Sequence, residues 1–400
     1  THSCHHPQRH IVPLAELAVN PGALHTTNHK KRERQKMLKG ERPAECSYCW
    51  KIEDLPGAPL SDRHYKSAED WARPYLPALA QMTGEEDIDP TYLELSFSST
   101  CQMRCSYCYP SVSSAIRAEV SKFGPYPTAD LFGTMDAQLQ DNAYKEAFWL
   151  WWPAVREKLH VFRLTGGEPL LDEDTFKVME GFLQSPLPNL KFSLNSNLMV
   201  SEDRFKRFHV LTKRLIQEKA LKELQVYASI DTWGEQAEWI RHGMELKKFC
   251  RNLETILRET PEVSVTLMIT FNALSPFRFT ELMDYVVWCR QHYPQATLKM
   301  GVSILHHPAF MALDVLPKSA TSLMEGILEH HHQNDMKKRG NAGFSAAEIA
   351  RFERILKWWQ ERPTAITQSK ELKKFVDEYD HRKGTNFTKV FPGFWEQYSL

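Results

Sequence analysis

The chain has 400 residues, enough for one large domain with appended modules. Apolar residues make up 42% and charged residues 25%, which supports a sizeable core and excludes wholesale disorder. Lys plus Arg and Asp plus Glu number 50 each, a zero balance that argues against a protein built to coat nucleic acid or an acidic membrane. No apolar run reaches the ~20 residues of a bilayer span, since the richest, Ala147–Trp152, stops at Pro153. The first residues, Thr1–His6, carry no apolar signal segment, so a cytoplasmic location is expected. The eight cysteines are then read as thiols rather than as a disulfide framework.

Three regions differ in texture. Residues 1–89 hold Cys4, Cys46 and Cys49, several His, a basic stretch from Lys30 to Arg42 and an acidic turn at Gly84–Pro90. The basic stretch reads most simply as a solvated helix face. Residues 90–308 alternate short apolar runs with helix-period segments. Expected strands are Tyr92–Phe97, Val161–Leu164, Lys191–Leu194, Gln225–Ile230, Val263–Phe271 and Leu298–Leu305, each bounded by turn-forming residues. Expected helices are Asp174–Leu183, Ser201 (as N-cap) to Lys219, Trp239–Arg258 and Thr280–His292. Parallel strands need such crossovers, and right-handed crossovers wind them into a barrel or open sheet. Residues 309–400 read as a polar helical extension. The fold class is therefore α/β, with an N-terminal Cys-containing module and a C-terminal helical cap.

In wound α/β folds chemistry collects at the C-terminal ends of strands. Directly after the first expected strand stand Cys101, Cys105 and Cys108, three soft thiolate donors suited to an iron–sulfur cluster or zinc. Three thiolates leave one corner of a cubane without a protein ligand, where a small chelating molecule could bind. After the second strand comes Thr165-Gly166-Gly167-Glu168-Pro169-Leu170, whose paired glycines allow close backbone approach. Asn195 ends the third strand, and Ser229 and Asp231 end the fourth, where they can also be plain turn chemistry. Cys250 and Cys289 sit inside helical periods and read as small buried hydrophobes.

The Cys-x3-Cys-x2-Cys spacing, with Tyr107 before the last Cys, resembles the signature of the radical S-adenosylmethionine (SAM) superfamily. Gly166-Gly167-Glu168-Pro169 resembles that superfamily's Gly-Gly-Glu-Pro motif. The resemblance covers about residues 91 to 308 and implies a partial (β/α)6 TIM-like barrel. It also implies a 4Fe–4S cluster on Cys101, Cys105 and Cys108, and SAM held near Tyr107, Gly166, Gly167 and Glu168. By the same resemblance Asn195, Ser229 and Asp231 meet the SAM ribose or carboxylate. Arg241 resembles an Arg that holds the carboxylate, though a surface helix arginine is the plain alternative. The segment Met37–Arg63, with Cys46, Cys49, Glu53, Gly57, Ser61 and Arg63, resembles SPASM or twitch auxiliary-cluster regions. Cys4-His5-His6-Pro7-Gln8-Arg9-His10 fits a Cys-x-x-Pro-x-x-His pattern seen in such segments. A second site on Cys4, Cys46 and Cys49 would hold an auxiliary iron–sulfur cluster or zinc. His10, His25, solvent or substrate could supply a fourth ligand.

The resemblance implies reductive cleavage of SAM to a 5′-deoxyadenosyl radical that abstracts hydrogen from substrate. A ribosomally made peptide leads as substrate class, ahead of other small molecules. An electron donor such as flavodoxin or ferredoxin is the expected partner, with no membrane and no bulk nucleic acid. One rival is a radical SAM enzyme acting on a nucleoside, sugar or tRNA. The other is a non-catalytic iron–sulfur or zinc binding module. No catalytic residue is assigned.

Overall fold

Short β-branched and aromatic runs, closed by Gly, Asn and Asp turns, become the strands of one sheet. The computed structural model describes residues 10–54, 60–133 and 143–397. Its strands are β1 (Tyr92–Leu95), β2 (Val161–Leu164), β3 (Leu187–Ser196), β4 (Leu221–Ser229), β5 (Ser264–Phe271) and β6 (Thr297–Ile304), ordered β1-β2-β3-β4-β5-β6. The pairs β3–β4, β4–β5 and β5–β6 run parallel. Sequential parallel order with intervening helices is the pattern of a wound (β/α) sheet, and among the described residues β1 and β6 stand at its two open edges. No helix among the described residues is long and apolar enough to cross a membrane.

The described residues fall into two compact units, one within Thr1–Glu94 and Leu139–Phe162, the other within Leu95–Gln138 and Arg163–Leu400. In the first unit, Val12, Leu17, Ala23 and Ala147 form a small core flanked by Leu24 and Tyr144. Thr27 caps the basic helix Asn28–Leu38 by accepting from Lys30 N. That helix is less solvated than its charge suggests. Lys31 pairs with Asp87 at 2.6 Å, Arg34 donates to Glu86 O at 2.9 Å, and the Lys30 side chain is buried, its pKa lowered to about 8 by desolvation. The acidic turn of the same unit thus receives one face of the basic helix.

In the second unit the sheet has two unlike faces. Leu194, Leu224, Val226, Ala228, Val265, Leu267 and Ile269 are fully buried. The alternate positions Asn195, Gln225, Tyr227, Ser229, Met268 and Thr270 are only half buried. Period-two alternation places these two sets on opposite faces, so one face of the sheet is polar and accessible. The helices fall close to expectation, at Glu173–Gln184, Glu202–Gln217 and Phe279–His292, with Ser201 capping the second. The expected helix Trp239–Arg258 is instead broken. Gly234–Ile240 and Leu246–Glu259 are separate helices, and Arg241–His242 between them is extended. Gly243, at φ +99°, makes the turn that allows it. Helices Ser114–Phe123 and Ala143–Val155 were not anticipated; the second carries Pro153 in its last turn.

Candidate active site

The loop after β1 folds back on itself and is tied down on three sides. On one side Ser114, at the start of helix Ser114–Phe123, hydrogen-bonds the Cys101 backbone in both directions at 3.1 Å, and Ser113 donates to Met103 O at 3.0 Å. On a second side Arg104–Cys105 pairs antiparallel with Arg241–His242, in register Cys105↔Arg241. The break in the expected helix thus supplies a partner strand for the cysteine loop. On the third side the Gly-Gly-Glu loop is bonded directly to it: Gly167 N donates to Ser98 O at 3.3 Å and Glu168 N to Thr100 O at 2.7 Å.

That third contact explains the glycines. A Cβ on Gly167 would lie within 2.7 Å of the carbonyl carbons of Ser99 and Thr100, and nearer still to Thr100 O. A Cβ on Gly166, whose φ is +115°, would meet Ser98 O at 2.8 Å. These obstacles are backbone and cannot rotate away, and at Gly166 the Ser96 side chain stands closer still. The paired glycines therefore let two strand-end loops touch, just ahead of Cys101.

Glu168 is buried, and its carboxylate accepts from Ser196 Oγ at 2.8 Å, Asn197 N at 2.7 Å and Leu170 N at 3.1 Å. Burial raises its pKa to about 7 against the opposing pull of these donors. Ser196 and Asn197 thus join the third strand end to the second. Asn197 also reaches the cysteines: its Nδ2 lies 3.9 Å from Cys101 Sγ, and its Oδ1 accepts from Gln102 Nε2 at 3.1 Å. Asn197 is the residue that sequence reasoning passed over in favour of Asn195. Asn195 instead accepts from Arg163 at 2.9 and 3.1 Å on the half-buried face, where the Arg163 guanidinium lies 4.2 Å from the centre of the Tyr227 ring.

Asp231 is fully buried and its carboxylate is saturated. It accepts from Tyr107 Oη at 2.7 Å, from Arg241 Nε and Nη2 at 2.9 and 3.1 Å, and from Thr270 N at 2.8 Å. The fork of Arg241 is thus engaged by Asp231. Burial works against the Arg241 charge, but Asp231, Tyr107 and Cys105 outweigh it and hold the pKa well above its ordinary value. Burial likewise keeps the Tyr107 phenol protonated. Ser229 sits half buried at the end of β4, on the same face as Asn195.

The three thiols are soft donors suited to iron–sulfur or zinc. Burial pushes the Cys101 thiol up to about 12. Cys105 and Cys108 hydrogen-bond each other, which lowers Cys105 and raises Cys108. Metal binding to thiols requires their deprotonation, which burial opposes at Cys101. Among the described residues no three His, Cys, Asp or Glu side chains converge on a point as for one ion. In the N-terminal unit Cys49 is buried and Cys46 half buried, both close enough to Arg63 to raise its pKa electrostatically, behind its hydrogen bond to Glu53. His10 stacks on His29 at 4.5 Å and bonds Thr27 Oγ1 at 3.0 Å, while burial lowers His25 to about 4. Cys4 lies outside the described residues, as does Gly57.

No family model matches the chain. Curated relatives do. GTP 3′,8-cyclase of Sulfurimonas denitrificans is 24% identical over 201 residues, 50% of this chain and 52% of that protein. The same enzyme of Sulfurovum sp. is 22% identical over 198 residues, covering 50% and 51%. That of Campylobacter curvus is 24% identical over 200 residues, covering 50% and 52%. The cysteine and Gly-Gly-Glu loops of this chain stand joined at adjacent strand ends. Over that half the chain is similar to these cyclases, and its cysteine and Gly-Gly-Glu motifs resemble those of the radical SAM superfamily. It spans about half the length of the curated relatives it matches. Among solved structures, Streptococcus suis SuiB bound to S-adenosylmethionine matches with a TM-score of 0.40 and 13% identity, covering 80% of this chain and 66% of that one.

Proposed function

We propose that Cys101, Cys105 and Cys108 hold a 4Fe–4S cluster at which SAM binds, and that the enzyme abstracts hydrogen from a ribosomally made peptide. The observation that carries the reading is the direct bonding of the Gly166-Gly167-Glu168 loop to the backbone just before Cys101. On this reading a ligand held by one loop would lie within reach of metal held by the other. When bound, such a cluster would supply one electron for the reductive cleavage of SAM.

The chain's own groups do the holding. Cys101, Cys105 and Cys108 would hold the cluster, which would offer SAM a metal position free of protein ligands. Glu168, gripped by Ser196 and Asn197, fixes the loop that faces the amine. Asp231 holds Tyr107 beside Cys108 and orients Arg241 behind Cys105. Asn197 offers an N–H to Cys101 sulfur, which favours the more negative, reduced state. The polar half-buried face, with Asn195, Tyr227, Ser229 and Thr270, receives SAM and substrate, and exclusion of water there protects a carbon radical. Flavodoxin or ferredoxin serves as electron donor. The peptide assignment rests on the auxiliary-cluster resemblance of Met37–Arg63.

A second reading is a purine nucleotide substrate, favoured by relatives named GTP 3′,8-cyclase. The test is anaerobic: reconstituted protein, dithionite and SAM should yield 5′-deoxyadenosine, and the Cys101/Cys105/Cys108 triple-Ala variant should yield none and lose about four irons. Unchanged iron and 5′-deoxyadenosine in that variant would defeat the proposal. Stimulation by GTP but by no peptide would select the second reading.

A further inference from the structure

A two-residue ribbon has too few ladder bonds to hold its own register, yet Arg104–Cys105 and Arg241–His242 carry a cluster ligand and the arginine behind it. What holds them comes from the C-terminal extension. Tyr379, on helix Ile366–Lys383, is fully buried, and its hydroxyl lies 3.1 Å from Arg104 O and 2.9 Å from Trp239 O. One carbonyl belongs to the cysteine side of the ribbon. The other lies two residues before Arg241 on the opposite side. The ring is wedged between Trp239 at 4.6 Å and Phe375 at 5.3 Å, with the His242 ring edge-on at 6.4 Å.

Neighbouring residues of the same helix grip the same module. Asp380 Oδ1 accepts from Trp239 Nε1 at 2.9 Å. Arg382 donates to Gly124 O at 2.8 Å and Pro125 O at 3.1 Å. Lys383 is paired with Glu119, a buried residue of the helix that ties down Cys101 through Ser114. Anchors in one helical turn therefore clasp the ribbon, the helix behind the cysteines and the turn after it. Nothing in the helix's packing requires a hydroxyl at position 379, because a phenylalanine ring would fill the same space.

We propose that helix Ile366–Lys383 braces the cysteine loop, with Tyr379 as a positioning residue that clips Arg104 to Trp239 and so sets Cys105 against Arg241. The proposal rests on the radical SAM reading only for its iron readout. The full-length Tyr379→Phe variant, reconstituted anaerobically with iron and sulfide, is compared with Phe310→Leu. The latter disturbs packing against Phe132 and Phe375 but leaves the Tyr379 hydroxyl in place. In Tyr379→Phe, amide exchange in segments 104–108 and 239–242 should quicken roughly tenfold, and iron loss to a chelator should quicken by a similar factor. Phe310→Leu should lower the melting temperature without singling out those segments. Exchange in Tyr379→Phe that is unchanged, or raised evenly along the chain, would overturn the proposal. Should that variant fail to fold, Lys383→Met releases Glu119 and must loosen segment 101–113 selectively, or the proposal falls. If wild type takes up no iron at all, the radical SAM reading fails while exchange still decides the brace.

Discussion

Adding one methyl group at Gly167 should unlatch the cluster loop. In Gly167→Ala the new Cβ would press on the backbone of Ser99 and Thr100, with both carbonyl carbons at 2.7 Å. Relief requires the two loops to part by several tenths of an ångström at least. That movement stretches the bonds Glu168 N to Thr100 O and Gly167 N to Ser98 O, at 2.7 and 3.3 Å. Two such bonds are worth about 1 kcal/mol each, and overpacking adds about 1–3 kcal/mol. The loop contact should therefore weaken by roughly 3 kcal/mol, on the order of a hundredfold in the population of the closed arrangement. Thr100 precedes Cys101, so iron binding should suffer together with SAM binding. The assay is the iron-to-protein ratio after anaerobic reconstitution, beside SAM affinity by calorimetry and stability by urea titration. Full iron content with SAM affinity alone reduced would refute this reasoning, and would mean that the glycines face only the ligand.

Three further outcomes are expected. Glu168 has its pKa raised from 4.5 to about 7, so the folded state holds a proton there that the unfolded state has released. Its contribution is full below about pH 4.5 and lost as pH rises through about 7, and wild-type stability should fall relative to Glu168→Gln by on the order of 1 kcal/mol per pH unit in that window; parallel pH profiles would contradict it. Asp231→Ala leaves Arg241 buried without its partner and should cost about 3–5 kcal/mol by chemical denaturation, with the Asp231→Leu/Arg241→Met double variant recovering much of it; a single-variant cost below 1 kcal/mol would show the pair to be incidental. Metal analysis of the Cys101/Cys105/Cys108 triple-Ala variant should still find iron or zinc, held by Cys4, Cys46 and Cys49; neither metal above trace levels, with the fold intact, would reduce these to ordinary thiols.

Strand positions were legible because burial on one face forces apolar alternation. Val161–Leu164 matches at both ends, and the other strands are shifted by a few residues. β3 begins at Leu187, ahead of the expected Lys191, because Pro188 and Asn189 read as a turn while the pairing with β4 absorbs them in a register irregularity. The break at Arg241–His242 was hidden by apolar periodicity that continues on both sides of it, and Gly243 was the overlooked signal. The cysteines and the Gly-Gly-Glu loop were legible as spacing. Their mutual contact was not, since it depends on how two strand ends approach. The engagement of Arg241 by Asp231, ten residues away in the chain, was equally hidden, as was the reach of Asn197 to Cys101. In each case the pairing is decided by a turn whose course no local pattern encodes.

The ribbon at Cys105 also fixes when the site can come into being. Arg104 pairs with His242, 138 residues later, and its carbonyl meets Tyr379, 275 residues later. Contacts of such long separation pay their loop-closure entropy only after the intervening strands and helices have formed. During synthesis at about 5–20 residues per second, Cys101, Cys105 and Cys108 are therefore exposed as loose thiols for many seconds before their partners exist. Metal delivered in that interval would meet a mobile loop; metal delivered afterwards meets a finished socket. The order of events favours loading late, onto a chain whose C-terminal helix has already docked.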